Sequence, residues 1–519
     1  MRASVLAALL LAVLPACMRK EPRPAETEPK TAAPAHDSTG AILFLSADMR
    51  GYLGPCGCSE NMRGGIGRAA QQILDARAGS LPVLYVDGGD SLFGESTFPP
   101  GQVPQEERKA RALAEAMKLM GLSVRAVGEL DDARGAAFRQ SLHLPELPAG
   151  QVKLLDAGAR KVGVVSATSG EQLVALSTRA RGEGADFVVG LLHTTVEVAQ
   201  AAAELPGLAA NVVVATHTAS EFSGEENKRV RAAVPVVALQ SKGRSLLRID
   251  LTYSPTRGPF SPLRAQDDTD REVSALEQRM ALLDKDINLP GVDPRLKALK
   301  QGKRDELAQR KQALLTAPPI PTNEGNGFTL RFLPLDPSLP TAPAAQALVT
   351  SYDSDVGKMN LAWAKEHGEE CPAPQQGQAA FVGTQTCREC HAEAYAVWEK
   401  TLHSHAWGTL EQAGKQYHLN CVGCHVTGWQ RPGGVCRLDK VMGRENVGCE
   451  SCHGPGSLHV ENPGPTTIVA TPGREACLTC HNPENSPHFD FATYLPRILG
   501  PGHGKPLDVG QPAKRPSTP

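Results

Sequence analysis

Four times in its last quarter the chain reads Cys-x-x-Cys-His: at Cys387, Cys390 and His391, at Cys421, Cys424 and His425, at Cys449, Cys452 and His453, and at Cys477, Cys480 and His481. Two thiols on one helical turn add across the two vinyl groups of a haem, and the imidazole that follows is held beneath the iron as proximal ligand. At this chain's cysteine and histidine frequencies chance supplies such a match about 0.01 times. Paired zinc ribbons also use Cys-x-x-Cys couples, but zinc does not require a histidine after every second cysteine. The motifs therefore predict four covalently bound haem c groups. Large flat apolar bodies of that kind supply much of the core that about 120 residues would otherwise struggle to build.

The surrounding residues are biased in the same direction. Ten of the thirteen cysteines and ten of the fifteen histidines lie between Cys371 and His503. A low-spin electron carrier needs a second axial ligand on the other haem face. The candidates are His403, His405, His418, His459, His488 and His503, with Met442 a weaker one. Trp398, Trp407, Trp429 and Tyr395 are the aromatic residues expected to pack on the macrocycles.

The remainder of the chain reads as separate parts. Arg2 and the apolar run Val5 to Leu14 form an export signal too short to span a bilayer. Leu14-Pro15-Ala16-Cys17 has the form of a lipoprotein cleavage site, with Cys17 acylated and residues 18–40 a flexible tether. From Ala41 onward, apolar runs at Ile42 to Leu45, Val83 to Val86, Val162 to Val165, Phe187 to Leu192, Val212 to Val214 and Val236 to Leu239 alternate with helical stretches. That rhythm predicts a layered α/β domain with strands buried on both faces. Val273, Leu276, Met280, Leu283 and Ile287 then step by three and four, and after Pro290 and Pro294 a second helix runs through Leu307 and Leu314, which predicts an antiparallel helical hairpin. A strand over Phe328 to Phe332 and a helix over Ala344 to Glu366 lead into the cysteine-rich part.

Residues 381–503 resemble the tetrahaem cytochromes of the cytochrome c554 type. The likeness is carried by Cys387-Arg-Glu-Cys-His391 with Tyr395, Trp398 and Thr401-Leu-His403, by Cys421-Val-Gly-Cys-His425-Val-Thr-Gly428, by Cys449-Glu-Ser-Cys-His453-Gly-Pro-Gly-Ser-Leu-His459, and by Cys477-Leu-Thr-Cys-His481. It implies His403 and His459 as distal ligands, His503 as the next candidate, closely packed haems, and one haem without a sixth ligand from the protein.

Residues 41–255 resemble the metallophosphoesterase domain of 5'-nucleotidases, through Phe44-Leu-Ser-Ala-Asp48-Met-Arg50, Gly64-Gly65, Val86-Asp-Gly-Gly-Asp90, Gly128-Glu129-Leu130-Asp131, Leu192-His193 and Ala215-Thr216-His217-Thr218-Ala219. Position by position, the resemblance gives Asp48, Asp90, Glu129, His193 and His217 as metal ligands. Arg50 and Ala219 stand where the family has ligand histidines, and Leu130 stands where it has the histidine that assists the leaving group. Two-metal hydrolysis needs both positions filled, so the expectation is an inactive domain that either keeps one divalent cation or is metal-free. Cys56 and Cys58 follow the first strand and are open to a metal, redox or disulfide role, as are Cys371 and Cys436.

The expected architecture is thus multidomain: a lipoprotein signal peptide (1–17), a tether (18–40), an α/β metallophosphoesterase-like sandwich (41–255), a helical hairpin spacer (266–318), a connecting segment (319–380) and a mainly α multihaem cytochrome c domain (381–510). A formal charge of −2 gives no electrostatic reason to expect nucleic acid as partner. Other redox proteins, as electron donor and acceptor, and a membrane reached through the lipid on Cys17 are the expected partners, in a bacterial cell envelope at a periplasmic or outer-membrane location. Three functions fit: electron carrier, haem enzyme acting on a small nitrogen species at an open haem, and residual phosphoester hydrolase. The plentiful histidines favour the first.

Overall fold

The computed structural model describes residues 39–503 except 56–61, 217–226, 231–233, 264–272, 274–275, 278, 282, 285–286, 288–293, 317–324, 442, 483–484 and 487–488. Cys17, Cys56, Cys58, His217, Met442 and His488 therefore lie outside the described residues.

Two sheets form the centre of the α/β part. Strands β1 (Gly40–Ser46), β2 (Val83–Asp87), β3 (Leu122–Ala126) and β4 (Glu146–Leu147) run parallel, and the sheet continues from β1 outward. The second sheet holds β5 (Gln151–Ala157), β6 (Arg160–Ala167), β7 (Phe187–Leu192), β8 (Val212–Ala215), β9 (Lys228–Val230) and β10 (Val236–Ala238), with β6, β7, β8 and β10 parallel. The first sheet is completed by β11 (Ser245–Thr252), β12 (Phe260–Pro262) and β13 (Asn326–Pro334), in the order β12-β13-β11-β1-β2-β3-β4.

The alternation of a strand explains the layers. In β1, Leu43 and Leu45 face a core shared with Val164, Val189 and Val214 of the second sheet, whereas Ile42 and Phe44 face helices. Those helices are Ile66–Arg77, Val103–Leu119 and Pro343–His367, and Gly170–Gly182 and Val196–Ala203 cover the outer face of the second sheet. Helices, two sheets and helices again give a four-layer sandwich, and burial on both faces is why the strands read as continuous apolar runs.

The α/β unit extends beyond the boundary expected at residue 255. β13, from the supposed connector 319–380, pairs antiparallel with β11 from Ser245↔Pro334 to Thr252↔Gly327. The helix Pro343–His367 packs Ala345, Val349, Tyr352 and Val356 into the same core as Ile66 and Leu113. The spacer is thus an insertion between β12 and β13. Its described residues from Val273 to Ile287 are helical, as is Pro294–Thr316. Leu276 and Leu307 are buried together, and Asp284–Arg304 (3.0 Å) and Glu277–Lys311 (2.6 Å) pair in antiparallel register. No described helix is long and apolar enough to cross a membrane.

The C-terminal part is built differently. Its helices are short, Cys371 and Cys436 form a disulfide, and its apolar cluster is small, with Val422, Val426, Val435, Leu438 and Val441 beside Ala364.

Candidate haem-binding site

Each motif is a single helical turn. In the first, the amides of Cys390 and His391 both donate to the carbonyl of Cys387 (3.3 and 2.9 Å), and in the fourth Cys480 and His481 donate to Cys477 in the same way (3.2 and 2.8 Å). That turn sets both thiols and the imidazole on one side. The eight motif cysteines are unbridged and part-exposed or exposed, in a fold that does form a disulfide at Cys371–Cys436.

The motifs adjoin one another in the spatial order first, third, fourth, second. The Cys387 thiol lies beside that of Cys449, the Cys480 thiol beside that of Cys424, and Cys452 has Cys477 and Cys480 as neighbours. Glu450, between the cysteines of the third motif, is buried and accepts hydrogen bonds from the amides of Val382 (2.8 Å), Gly383 (2.7 Å) and Gly456 (2.8 Å). One carboxylate thereby ties the third motif to the turn that starts the first and to the loop that leads to His459. Sequence reading missed this role; the signal was a charged residue inside a motif that otherwise asks only for thiols.

The histidines fall into pairs. The rings of His391 and His459 have centroids 6.1 Å apart, as do those of His403 and His481. Two imidazole nitrogens held about 2 Å from one metal on opposite sides place their ring centroids about 6 Å apart. His453 has His503, His391 and His459 as neighbours, and the Nδ1 of His503 is a buried polar atom without a hydrogen-bond partner. The expected distal ligands His403, His459 and His503 are thus each brought next to a motif histidine. His418, another candidate, is instead committed to packing against the helix Pro343–His367, with its Nε2 3.3 Å from the Asp353 carbonyl and its ring edge-on to Tyr352. Among the described residues, His425 has no ring contact with a second imidazole.

The rings are oriented from behind. Nδ1 lies 2.6 Å from the Ala406 carbonyl in His425, 2.8 Å from that of Val469 in His453, 3.1 Å from that of Gly464 in His459, and 3.0 Å from the Ser486 hydroxyl in His481. A ring held through Nδ1 presents Nε2 to a metal. Burial lowers the basicity of His403, His425, His453 and His481, with like-charged neighbours adding to the effect at His403 and His453. The neutral imidazole, which is the form that binds iron, is therefore favoured. Paired rings, held nitrogens and unbridged thiols fit haem c. Tyr395 and Trp398 pack on each other (5.2 Å), and Trp398 is fixed by a bond from Nε1 to the Val447 carbonyl (2.8 Å). Trp407 and Trp429 border the Val422 cluster.

The strand ends of the α/β part tell a different story. The loops after β2 and β8 meet across the two sheets, since a Cβ on Gly88 would fall 2.8 Å from Thr216 and 2.9 Å from Ala47. Asp48, Arg50 and Asp90 all take positive φ (51°, 49° and 52°), a left-handed conformation that non-glycine residues keep only where the surroundings impose it. These loops are strained, and their side chains already have partners within the protein. Arg50 Nε lies 2.8 Å from Asp48 Oδ1, so a fixed positive charge sits on the carboxylate that a cation would need. Asp90 accepts from the Leu130 amide (2.8 Å), and the two ring nitrogens of His193 contact the hydroxyls of Thr216 (3.0 Å) and Ser166 (3.2 Å). Glu129 is exposed. Among the described residues no three His, Cys, Asp or Glu side chains converge as a metal site. Of the expected set, the described members Asp48, Asp90 and His193 thus carry these partners, and Glu129 faces solvent. Assayed on a chromogenic phosphate ester with Mn²⁺ or Zn²⁺, the protein is expected to give no turnover above an Asp90→Ala control; turnover clearly above it would contradict this reading.

Fold and site together present four covalent-attachment motifs with neighbouring histidines, joined to a two-sheet α/β sandwich. Residues 386–454 match the family described as cytochrome c554 and c-prime, so the C-terminal part carries a cytochrome c554 domain, and that family implies covalently bound haem c. A curated relative, cytochrome c-554 of Nitrosomonas europaea, is 34% identical over 93 residues, which covers 15% of this chain and 40% of the relative. The chain thus spans well under half of that relative's length. Among solved structures, a 5'-nucleotidase precursor from Thermus thermophilus is 13% identical over 77% of this chain and 72% of its own, with a TM-score of 0.41. The sulfate thiohydrolase SoxB of Thermus thermophilus is 16% identical over 64% of this chain and 62% of its own, with a TM-score of 0.37.

Proposed function

We propose that this chain is an exported cytochrome carrying four haem c groups, which passes electrons between donor and acceptor proteins of a bacterial cell-envelope redox chain. In this reading it is held at a periplasmic or outer-membrane surface by a lipid on Cys17, and its α/β domain serves docking or sensing rather than hydrolysis. The supporting observation is the pairing of imidazoles, His391 with His459 and His403 with His481, at the spacing of two axial ligands. An iron with imidazole on both faces is closed to substrate, which favours carrying over catalysis.

When bound, haem c supplies reversible one-electron exchange at iron. The chain's own residues supply the rest. The Nδ1 contacts fix the ring of each oriented histidine, Glu450 holds the first and third motifs together, and Cys387 beside Cys449, Cys452 near Cys477 and Cys424 beside Cys480 put the attachment sites in one row.

A second reading rests on His425, which has no ring contact with another imidazole among the described residues. Its haem would keep one face open to a small ligand. Carbon monoxide added to the reduced protein tests both readings: the expected result is a spectral shift of one haem per chain. A shift of two would contradict His503 as the partner of His453, a shift of three or more would contradict the paired ligands, and no shift would exclude the open haem.

A further inference from the structure

The second motif differs from the other three in what supports it. The residues directly before Cys421 are docked on the helix Val103–Leu119 of the α/β domain. Gln105, fully buried, accepts at Oε1 from the Leu419 amide (3.2 Å), at the start of the motif's helix, and from Asn360 Nδ2 (2.7 Å). Asn360, also buried, donates in turn to the Tyr417 carbonyl (2.8 Å). Glu106, only 2% exposed, accepts from the Asn420 side chain (3.4 Å) and from Gln105 Nε2 (3.2 Å), and its second oxygen pairs with Lys109 Nζ at 2.6 Å. Asp353, with Lys415 at 3.5 Å and His418 at 3.7 Å, flanks the same segment. A buried ion pair of the α/β domain therefore reaches Asn420, one residue from the first attachment cysteine.

We infer that the α/β domain tunes the second haem: the Glu106–Lys109 pair, held against Asn420 by Gln105, sets the reduction potential of the group attached at Cys421 and Cys424. This rests on the cytochrome reading proposed above. Charges screened from water act over distance, and at an effective dielectric of about 20 a unit charge within roughly 12 Å of an iron changes its one-electron equilibrium about tenfold. A negative charge stabilises the oxidised, more positive iron, and a positive charge stabilises the reduced one. In the wild-type protein the two members of the pair oppose each other, so removing either one exposes the other. Lys109 also lies against the loop after β1, since a Cβ on Gly51 would fall 3.1 Å from its Cε. The pair thus connects the former metal-site loop to the second motif.

The test is a spectroelectrochemical titration of the full-length haem-loaded protein, wild type against Glu106→Gln and Lys109→Gln. Glu106→Gln keeps the shape of the side chain and an acceptor oxygen, Lys109→Gln keeps a polar side chain with amide donors, and each removes the charge. The haem concerned is identified as the couple altered in His425→Met. Glu106→Gln is expected to raise that couple alone, by about tenfold in its equilibrium, or about 59 mV for one electron, and Lys109→Gln to lower it. Opposite signs are a signature that a loosened interface does not give. With four haems attached, an unmoved couple, or all four moving together in either variant, overturns the inference and leaves the cytochrome reading intact. If Glu106→Gln fails to accumulate, Lys109→Gln alone decides by the sign of its shift. Fewer than four haems in the wild type instead overturns the reading on which the inference rests.

Discussion

Produced without haem, the chain loses ordered structure between about Phe381 and His503 and keeps its α/β sandwich. The two halves differ in what holds them. Three large apolar clusters support the sheets and their helices, whereas the cytochrome part has one small cluster around Val422. Beside its motifs, Leu402 is 84% exposed and Val460 and Val469 are each 51% exposed, apolar surface that lies next to His403, His459 and the carbonyl contact of His453. A segment of this size with so little core does not fold alone, and a group that binds only the folded state contributes its binding energy to folding. Limited proteolysis of haem-free and haem-loaded chains reads this directly. Cleavage within 381–503 should rise on the order of 100-fold without haem, as expected when about 3 kcal/mol of protection is lost, while a fragment spanning the sandwich persists. Equal protection of the two forms would show that the polypeptide alone builds this part.

The second large effect is on stability. Arg125→Met should destabilise the α/β domain by about 3–5 kcal/mol, because it leaves buried carboxylates without a counter-charge. Arg125 is fully buried, 2.6 Å from Asp131 and 3.7 Å from both Asp87 and Glu146. Asp131 in turn accepts from the amides of Asp90 (2.9 Å), Ser91 (3.1 Å), Leu92 (3.0 Å) and Gly128 (2.8 Å), so it fixes the strained loop after β2. Burial raises the Asp87 carboxyl to about 6 despite Arg125, and losing the guanidinium should raise it further. Urea unfolding followed by the sandwich's own signal measures the loss. A double variant that adds Asp87→Asn should recover part of it, whereas a loss below about 1 kcal/mol in the single variant would mean that the cluster is solvated.

How much of the molecule is legible in its sequence depends on how local each signal is. The haem motifs are legible because five consecutive residues carry all the chemistry, and the strands because burial on both faces leaves uninterrupted apolar runs. The contribution of β13 is not legible. Its strand character shows in Phe328 to Phe332, but nothing local says that it pairs with β11 across an inserted helical hairpin, and so a boundary at residue 255 falls too early. The metal-site resemblance names Asp48 and Asp90 through sequence alone, while the pairing of Arg50 with Asp48 depends on side-chain geometry at which the substitution only hints. His418 reads as one of six interchangeable distal candidates until Tyr352 and Asp353 are seen against it. Gln105, Glu106 and Asn360 have no motif at all, because buried polar side chains that join distant segments acquire their meaning only when those segments meet.

The central claim is that four haem c groups are attached to one chain at Cys387 and Cys390, Cys421 and Cys424, Cys449 and Cys452, and Cys477 and Cys480. A haem count by absorbance, combined with intact mass and metal analysis of the purified protein, tests it most directly. The expected result is four irons and four covalently bound haems per chain, with no zinc in proportion to the motifs. Fewer than four haems, or zinc in stoichiometric amount at these cysteines, would contradict it.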